Sequence, residues 1–418
     1  MGAAPDLRKL EILAMLVGRK RRLKALRARL ALSAYLLTTL LIPAFYSNIY
    51  GQTSTAKGTN QAQLHGGIEI DPEGIKVAVI RISDTPQKSG AEVIFTEEFN
   101  LGLGKDQGGK FPQEVVKTVG RATRDYYTLI REQYKVPPQQ IHLICSSDLD
   151  ARKLEELVSE VKTSTGASIT FLDVKSEAQL GVIGTVPRRY REGGAWFDNR
   201  SQSVVIDIGS YKTKGGYQQL RQPIVGDPYY EFVAIGIPSG TSSFTDEVNR
   251  AAGADAGINK FVISARALSE SSVKAALRNE LKKRPGLLYR KKIYLNGAIV
   301  GAMMTLLRPD DRQPIIPITV DDINSFYQQA VSSTHGLLNP SLSRIRNDAV
   351  RKEVESELEA VKSVFTPKRL IAGAAILKVI ASECNLQEEG KKILYTRFSN
   401  MGSILSYLLL QAGEGPQP

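Results

Sequence analysis

Only two cysteines, three histidines and one tryptophan occur in 418 residues, and each scarcity removes a class of chemistry. Cys145 and Cys384 lie far apart in apolar surroundings, which excludes a disulfide framework and reads as two buried thiols. His65, His142 and His335 are scattered, so nothing has the spacing of a zinc or redox centre. Low disorder is equally plain: 42% hydrophobic and 23% charged residues describe a globular chain long enough for two or three domains. The formal charge of +12 suggests nucleic acid until it is located. Residues 1–29 carry nine Lys/Arg against Asp6 and Glu11, hence +7 of the total, and the other 389 residues are only mildly basic. That balance suits a solvated exterior and does not call for a nucleic-acid partner.

The basic run Arg19–Arg29 leads straight into Leu30–Tyr50, 21 residues without a charge. That length spans roughly 30 Å of hydrocarbon as a helix, with Tyr46 and Tyr50 as interfacial anchors at the far end. The expected topology is a single-pass anchor, its basic side cytoplasmic and the body extracytoplasmic. Its competitor is a secretory signal that is cleaved, disfavoured by the long n-region and the lack of a good small-x-small pair after Phe45. A buried core helix is the weakest alternative, because the segment is apolar on every face and a polar linker follows.

The body is organised around Ser203–Tyr217. Its β-branched run ends at Asp207, next to a turn holding Gly209, Lys212 and Thr213. A strand–turn–strand of this kind places a carboxylate at a strand tip, where it can hold a metal or a water, while Gly209 admits an anion to the backbone and Thr213 adds a hydroxyl. Read alone, the motif fits an ordinary hairpin as well. The first half has the same grammar: a β-meander from Gly66 to Phe99, then a helix near Gln113–Gln133, a strand at Ile141–Cys145, a helix at Arg152–Thr163 and a strand at Ser168–Val174. A short helical pattern follows with Glu177 at its start, and Pro187–Arg200 separates the halves. The class is α/β with an internal duplication.

Later, Ile293–Leu295 is a short strand, Asn296-Gly297 a turn, and Ala298–Leu307 a helix whose first N–H groups can face an anion. From Asp310 the pattern is helical to Leu410. The segments expected are a basic 1–29, an anchor at 30–50, a linker at 51–65, α/β halves at 66–200 and 201–310, a helical region at 311–412 and a tail at 413–418.

Five stretches in order resemble the exopolyphosphatase/guanosine pentaphosphate phosphatase (Ppx/GppA) family: Ser146–Lys153, Thr165–Leu180, Val205–Gly209, Asn296–Thr305 and Ile371–Leu377. The resemblance covers about Gly66–Leu410 and implies two ribonuclease-H-like halves of the actin/sugar-kinase superfold. It also implies Glu177 as general base, Asp207 orienting water or Mg2+, Gly209 and Thr213 cradling phosphate oxygens, and Asn296-Gly297 at the family's anion-facing helix start, while Lys212 and Lys214, outside the family pattern, offer positive charge to phosphate in place of a metal. Without it, Glu177 reads as a helix N-terminal carboxylate stabilised by the macrodipole.

The departures are specific. The family's first phosphate loop corresponds to Glu69-Ile-Asp-Pro-Glu-Gly74, where Pro72 removes a donor and Asp71 and Glu73 repel phosphate. A family metal acid is Lys214, and a phosphate-binding arginine is Asp150. Two classes follow. The preferred one is a membrane-anchored module with degenerate catalytic machinery, binding a phosphate-containing anion or a protein partner, with a homodimer left open. The other is an active phosphohydrolase working through Glu177 and Asp207.

Overall fold

Gln63–Ile70 (β1), Gly74–Thr85 (β2) and Lys88–Asn100 (β3) form an antiparallel meander, and Ile141–Cys145 (β4) and Ile169–Phe171 (β5) extend it in parallel, giving the order β3-β2-β1-β4-β5. The computed structural model describes residues 63–85, 88–101, 103, 112–149, 154–186, 189–192, 195–223, 227–253, 255–397 and 399–413. The expected anchor at 30–50 lies outside these residues, and among the described residues no helix is long and apolar enough to cross a membrane.

One face of this sheet is covered by Gln113–Glu132 (α1) and Glu155–Thr165 (α2), whose Val116, Val119, Ile130, Leu157 and Val161 pack on Ile68, Ile70, Val77 and Val79. Val174–Thr185 (α3) follows β5 after two residues, because the Asp173 side chain accepts from Ser176 N at 2.7 Å and caps it. The hydrophilic stretch between the halves holds a small hairpin, Arg189–Glu192 (β6) with Ala195–Asp198 (β7).

The second sheet contains Ser203–Ile208 (β8), Thr213–Arg221 (β9), Tyr229–Ile237 (β10), Lys292–Asn296 (β11), Ile315–Ile318 (β12) and Lys392–Thr396 (β13), in the order β10-β9-β8-β11-β13-β12. Without edge strand β12 this repeats the first sheet, so the duplication expected from the sequence is present. Its helices are Thr241–Ala252 (α4), Ile258–Leu268 (α5), Lys274–Lys283 (α6), Ala298–Leu307 (α7), Val320–Ser332 (α8), Thr334–Leu337 (α9), Asp348–Val364 (α10) and Pro367–Glu383 (α11). Helix α11 is buried along most of its length, including Leu370–Leu377, and forms the centre of the larger core.

The C-terminal region is not the helical unit that its periodicity predicts. It supplies β12 and β13 to the second sheet, and its last helix, Gly402–Gln411 (α12), returns to the first half. Ile404, Leu405, Leu408 and Leu409 of α12 pack on Ala78, Ile80, Val93 and Ile144. Gly67 makes the approach close: a Cβ there would stand 2.5 Å from Ile404 Cδ1.

This interface encloses two imidazoles, His65 buried and His142 half-buried. The His65 and His142 rings are stacked 6.3 Å apart, and Tyr407 of α12 meets His142 edge-on at 5.8 Å. Both ring nitrogens of His65 are buried without a hydrogen-bond partner. Burial lowers both pKa values from 6.5, and the charge of His142 adds to the effect on His65. Apolar side chains of β2, β3 and α12 form the cluster at this interface. A histidine depressed in the fold contributes stability that is complete above its unfolded pKa and declines as pH falls below it. We therefore expect wild type to lose stability between pH 7 and 5 relative to His65→Gln/His142→Gln, measured by urea unfolding. Identical pH slopes for the two proteins would refute this.

Candidate functional site

The strands of the two halves end at one cleft. In the second sheet, register places Lys214 of β9, Asp207 of β8 and Asn296 of β11 side by side. Asp207 and Glu69 are pseudo-equivalent, each the next-to-last residue of the first strand in its sheet.

The first loop, between β1 and β2, is closed on itself. The Asp71 carboxylate accepts from Glu73 N at 2.9 Å and Gly74 N at 2.8 Å, and pairs with Lys76 Nζ at 2.6 Å. The amides that such a loop offers a phosphate are thus already taken by an anion of the chain itself.

The second loop, between β8 and β9, is treated alike. Asp148, just beyond β4, brings Oδ2 to 3.4 Å from Tyr211 N and to 2.7 Å from where a Cβ on Gly209 would lie. Only a glycine admits that carboxylate. Lys212 Nζ donates to Ser147 O at 2.7 Å, and Thr213 Oγ1 donates to Ser239 O at 2.7 Å.

Lys214 sits between the halves, buried, with Nζ 2.7 Å from Glu177 Oε1 and 3.4 Å from Asp148 Oδ1. Glu177, in the first turn of α3, also accepts from Ser146 Oγ at 2.9 Å and from Ser147 N at 2.8 Å, so both of its oxygens are engaged. Burial by itself would raise the Glu177 pKa, but Lys214 and the Ser147 contacts hold it below the ordinary value. Burial opposes the charge on Lys214 too, yet Asp148, Glu177 and Asp207 drive its pKa well up. Asp207 is pushed up to about 6, first by burial and against the pull of Lys214.

Asn296 Nδ2 donates to Thr185 Oγ1 at 2.6 Å, while its Oδ1 is buried without a partner. Gly297 has φ +100°, and a Cβ there would strike Ile208 O at 2.3 Å and Asp207 Oδ1 at 2.9 Å. This close packing sets the start of α7 against β8.

A bridge joins the loops. Arg369 Nη2 donates to Glu73 Oε1 at 3.0 Å and to Ser210 Oγ at 2.7 Å, its Nε donates to Thr241 Oγ1 at 3.1 Å, and Ser210 Oγ donates to Glu73. Six acids, Glu69, Asp71, Glu73, Asp148, Glu177 and Asp207, thus share the cleft with Lys76, Lys212, Lys214 and Arg369. Asp148, Ser210 and Arg369 carry no signal that marks them in the sequence, apart from the position of Asp148 three residues past a strand. Asp150 lies outside the described residues.

A resident Mg2+ does not fit these side chains. The Lys214 ammonium occupies the space between Asp148 and Glu177, and among the described residues no group of three or more His, Cys, Asp or Glu is arranged to hold a metal.

No family model and no curated protein matches the sequence. Solved structures do match, and they define the fold as that of Ppx/GppA structures. An exopolyphosphatase-like protein aligns with TM-score 0.59 at 14% identity over 83% of this chain and 98% of that one. The Cytophaga hutchinsonii exopolyphosphatase aligns with TM-score 0.56 at 14% identity, over 85% and 100%. The Aquifex aeolicus Ppx/GppA family member aligns with TM-score 0.55 at 14% identity, over 84% and 99%. This chain therefore shares the two-half architecture of Ppx/GppA proteins across nearly their whole length.

Proposed function

We propose that this chain is a non-hydrolytic, Ppx/GppA-like binding module, anchored in the membrane by residues 30–50 with its body extracytoplasmic. The single observation that carries the reading is the ion pair of Lys214 with Glu177, 2.7 Å long and buried between the halves. A general base needs a pKa near the working pH and a lone pair facing water, and Glu177 has a lowered pKa and two engaged oxygens. Phosphoryl transfer further needs cationic stabilisation of phosphate oxygens, whereas the loop amides here face Asp71 and Asp148. The cations of the cleft are already paired with its own acids, Lys76 with Asp71, Lys214 with Glu177 and Arg369 with Glu73, which leaves little free positive charge to draw in a polyanion. The reading therefore favours a protein partner over a free polyphosphate as the molecule bound. The anchor rests on the uncharged run after Arg29.

The test is phosphate release by the purified full chain from polyphosphate and guanosine pentaphosphate, with and without magnesium. Wild type and Glu177→Gln should be equally silent. Turnover in wild type that falls by about 10²–10⁴ in Glu177→Gln, the usual scale for a lost general base, would establish the hydrolase instead.

A further inference from the structure

The end of the second sheet opposite the cleft is basic. Leu281–Lys292, which leads into β11, contains six Lys/Arg and no Asp or Glu. This segment, from the end of α6 to the start of β11, folds against β9: Arg290 stacks over the Tyr217 ring at 4.4 Å and donates to Gln218 O at 3.2 Å. Arg284 and Arg221 also lie close enough to act on the Tyr217 hydroxyl, and Tyr230 acts on Arg290. Of the acids near this end, Glu231 pairs with Arg221 at 2.5 Å and Glu280 with Arg284 at 2.6 Å, and Asp227 is exposed two residues before Tyr229.

Lys282, Lys283 and Lys291 are exposed and have no ion pair among the described residues. Between them stands Tyr289, 79% exposed, with Tyr229 (55%) and Leu220 (43%) on the adjoining strand ends. These are three of the seven exposed large hydrophobic side chains among the described residues. A solvated basic face has no reason to display them. Tyrosines that present a ring and a hydroxyl, interleaved with unpaired lysines, match the boundary between acyl chains and anionic headgroups.

The geometry points to this end as a docking surface for an anionic lipid bilayer, which Tyr229 and Tyr289 enter while Lys282, Lys283 and Lys291 contact headgroups. The inference rests on the proposed anchor for proximity. Residues 51–62 reach about 40 Å when extended, enough for the body to turn this end to the membrane. A nucleic acid is the competing polyanion.

The experiment uses the full chain with Tyr289→Cys carrying an environment-sensitive fluorophore; Cys145 and Cys384 are buried. Lys117→Cys on α1 is the control position. Vesicles are phosphatidylcholine alone or with 30% phosphatidylglycerol, each with and without brominated lipid. Flotation reads the anchor, and quenching of the label reads the docking, so their failures are separable. Position 289 should be quenched in anionic vesicles only, position 117 in neither. Lys282→Glu/Lys283→Glu/Lys291→Glu should weaken docking by at least about tenfold, as should 0.5 M salt. Several results overturn the proposal: floated protein with no quenching at 289, equal quenching in zwitterionic vesicles, quenching that survives the triple substitution, or an oligonucleotide that shifts the label when anionic vesicles do not.

Discussion

Lys214→Met should cost about 3–5 kcal/mol of stability, the usual result of removing one partner from a buried charge network. Methionine keeps the length of the stem and its packing, so the loss isolates the ammonium. What remains is Glu177 and Asp148, both buried, with Asp207 alongside and nothing between them. Ser146 Oγ and Ser147 N still hold Glu177, but hydrogen bonds do not cancel a like charge at short range. The double variant Lys214→Met/Glu177→Gln should recover a large part of the loss, since the coupling of contacting charges is non-additive. Urea unfolding at pH 7 measures both. A loss under about 1 kcal/mol for Lys214→Met would mean that the acids are already protonated or hydrated, and that Lys214 does not organise the cleft.

The cleft was legible where strands end and obscure where the chain returns from a distance. Asp207 ends a β-branched run, Val204–Ile206, and Lys214 and Asn296 lie on short neighbouring strands whose register brings the three level. The pairing of Glu177 with Lys214 needs α3 of one half against β9 of the other, a relation that no local pattern encodes. Arg369 reaches Glu73 across 296 residues of sequence, and only the packing of α11 determines it. The strands missed near the C-terminus have specific causes. Pro317 sits inside Ile315–Ile318 and argues against a strand, yet β12 is an edge, the place where a sheet tolerates a missing N–H donor. Lys392–Thr396 is five residues long, too short for periodicity to separate a strand from the neighbouring helices. The occupied phosphate loops were half visible: Asp71 and Pro72 stand in the sequence as misfits, but that Asp71 satisfies the loop's own amides appears only in three dimensions.

Glu69 should make the protein less stable as pH rises, by about 4 kcal/mol between pH 5 and 9, of which about 1.4 kcal/mol falls above pH 7. Its side chain is buried on β1 and Oε2 has no hydrogen-bond partner. Burial raises its pKa from 4.5 to about 8; Lys76 and Lys214 pull it back, while Asp71 and Glu177 push the same way as burial. A carboxyl raised in the fold contributes stability that is complete below its unfolded pKa and disappears as pH rises through the folded one. The window is therefore from about 4.5 to about 8. Asp207 has the same sign, but its window closes at about 6, and His65 and His142 act only below 6.5. Asp71 and Asp148 are raised by burial as well, so it is the difference between wild type and Glu69→Gln, not the wild-type slope alone, that isolates Glu69. Glu69→Gln keeps the size and cannot ionise, so its stability should decline less than that of wild type from pH 7 to 9, by about 1.4 kcal/mol. Parallel profiles in urea unfolding would show that Glu69 is ionised at neutral pH, with Lys76 or Lys214 as its partner.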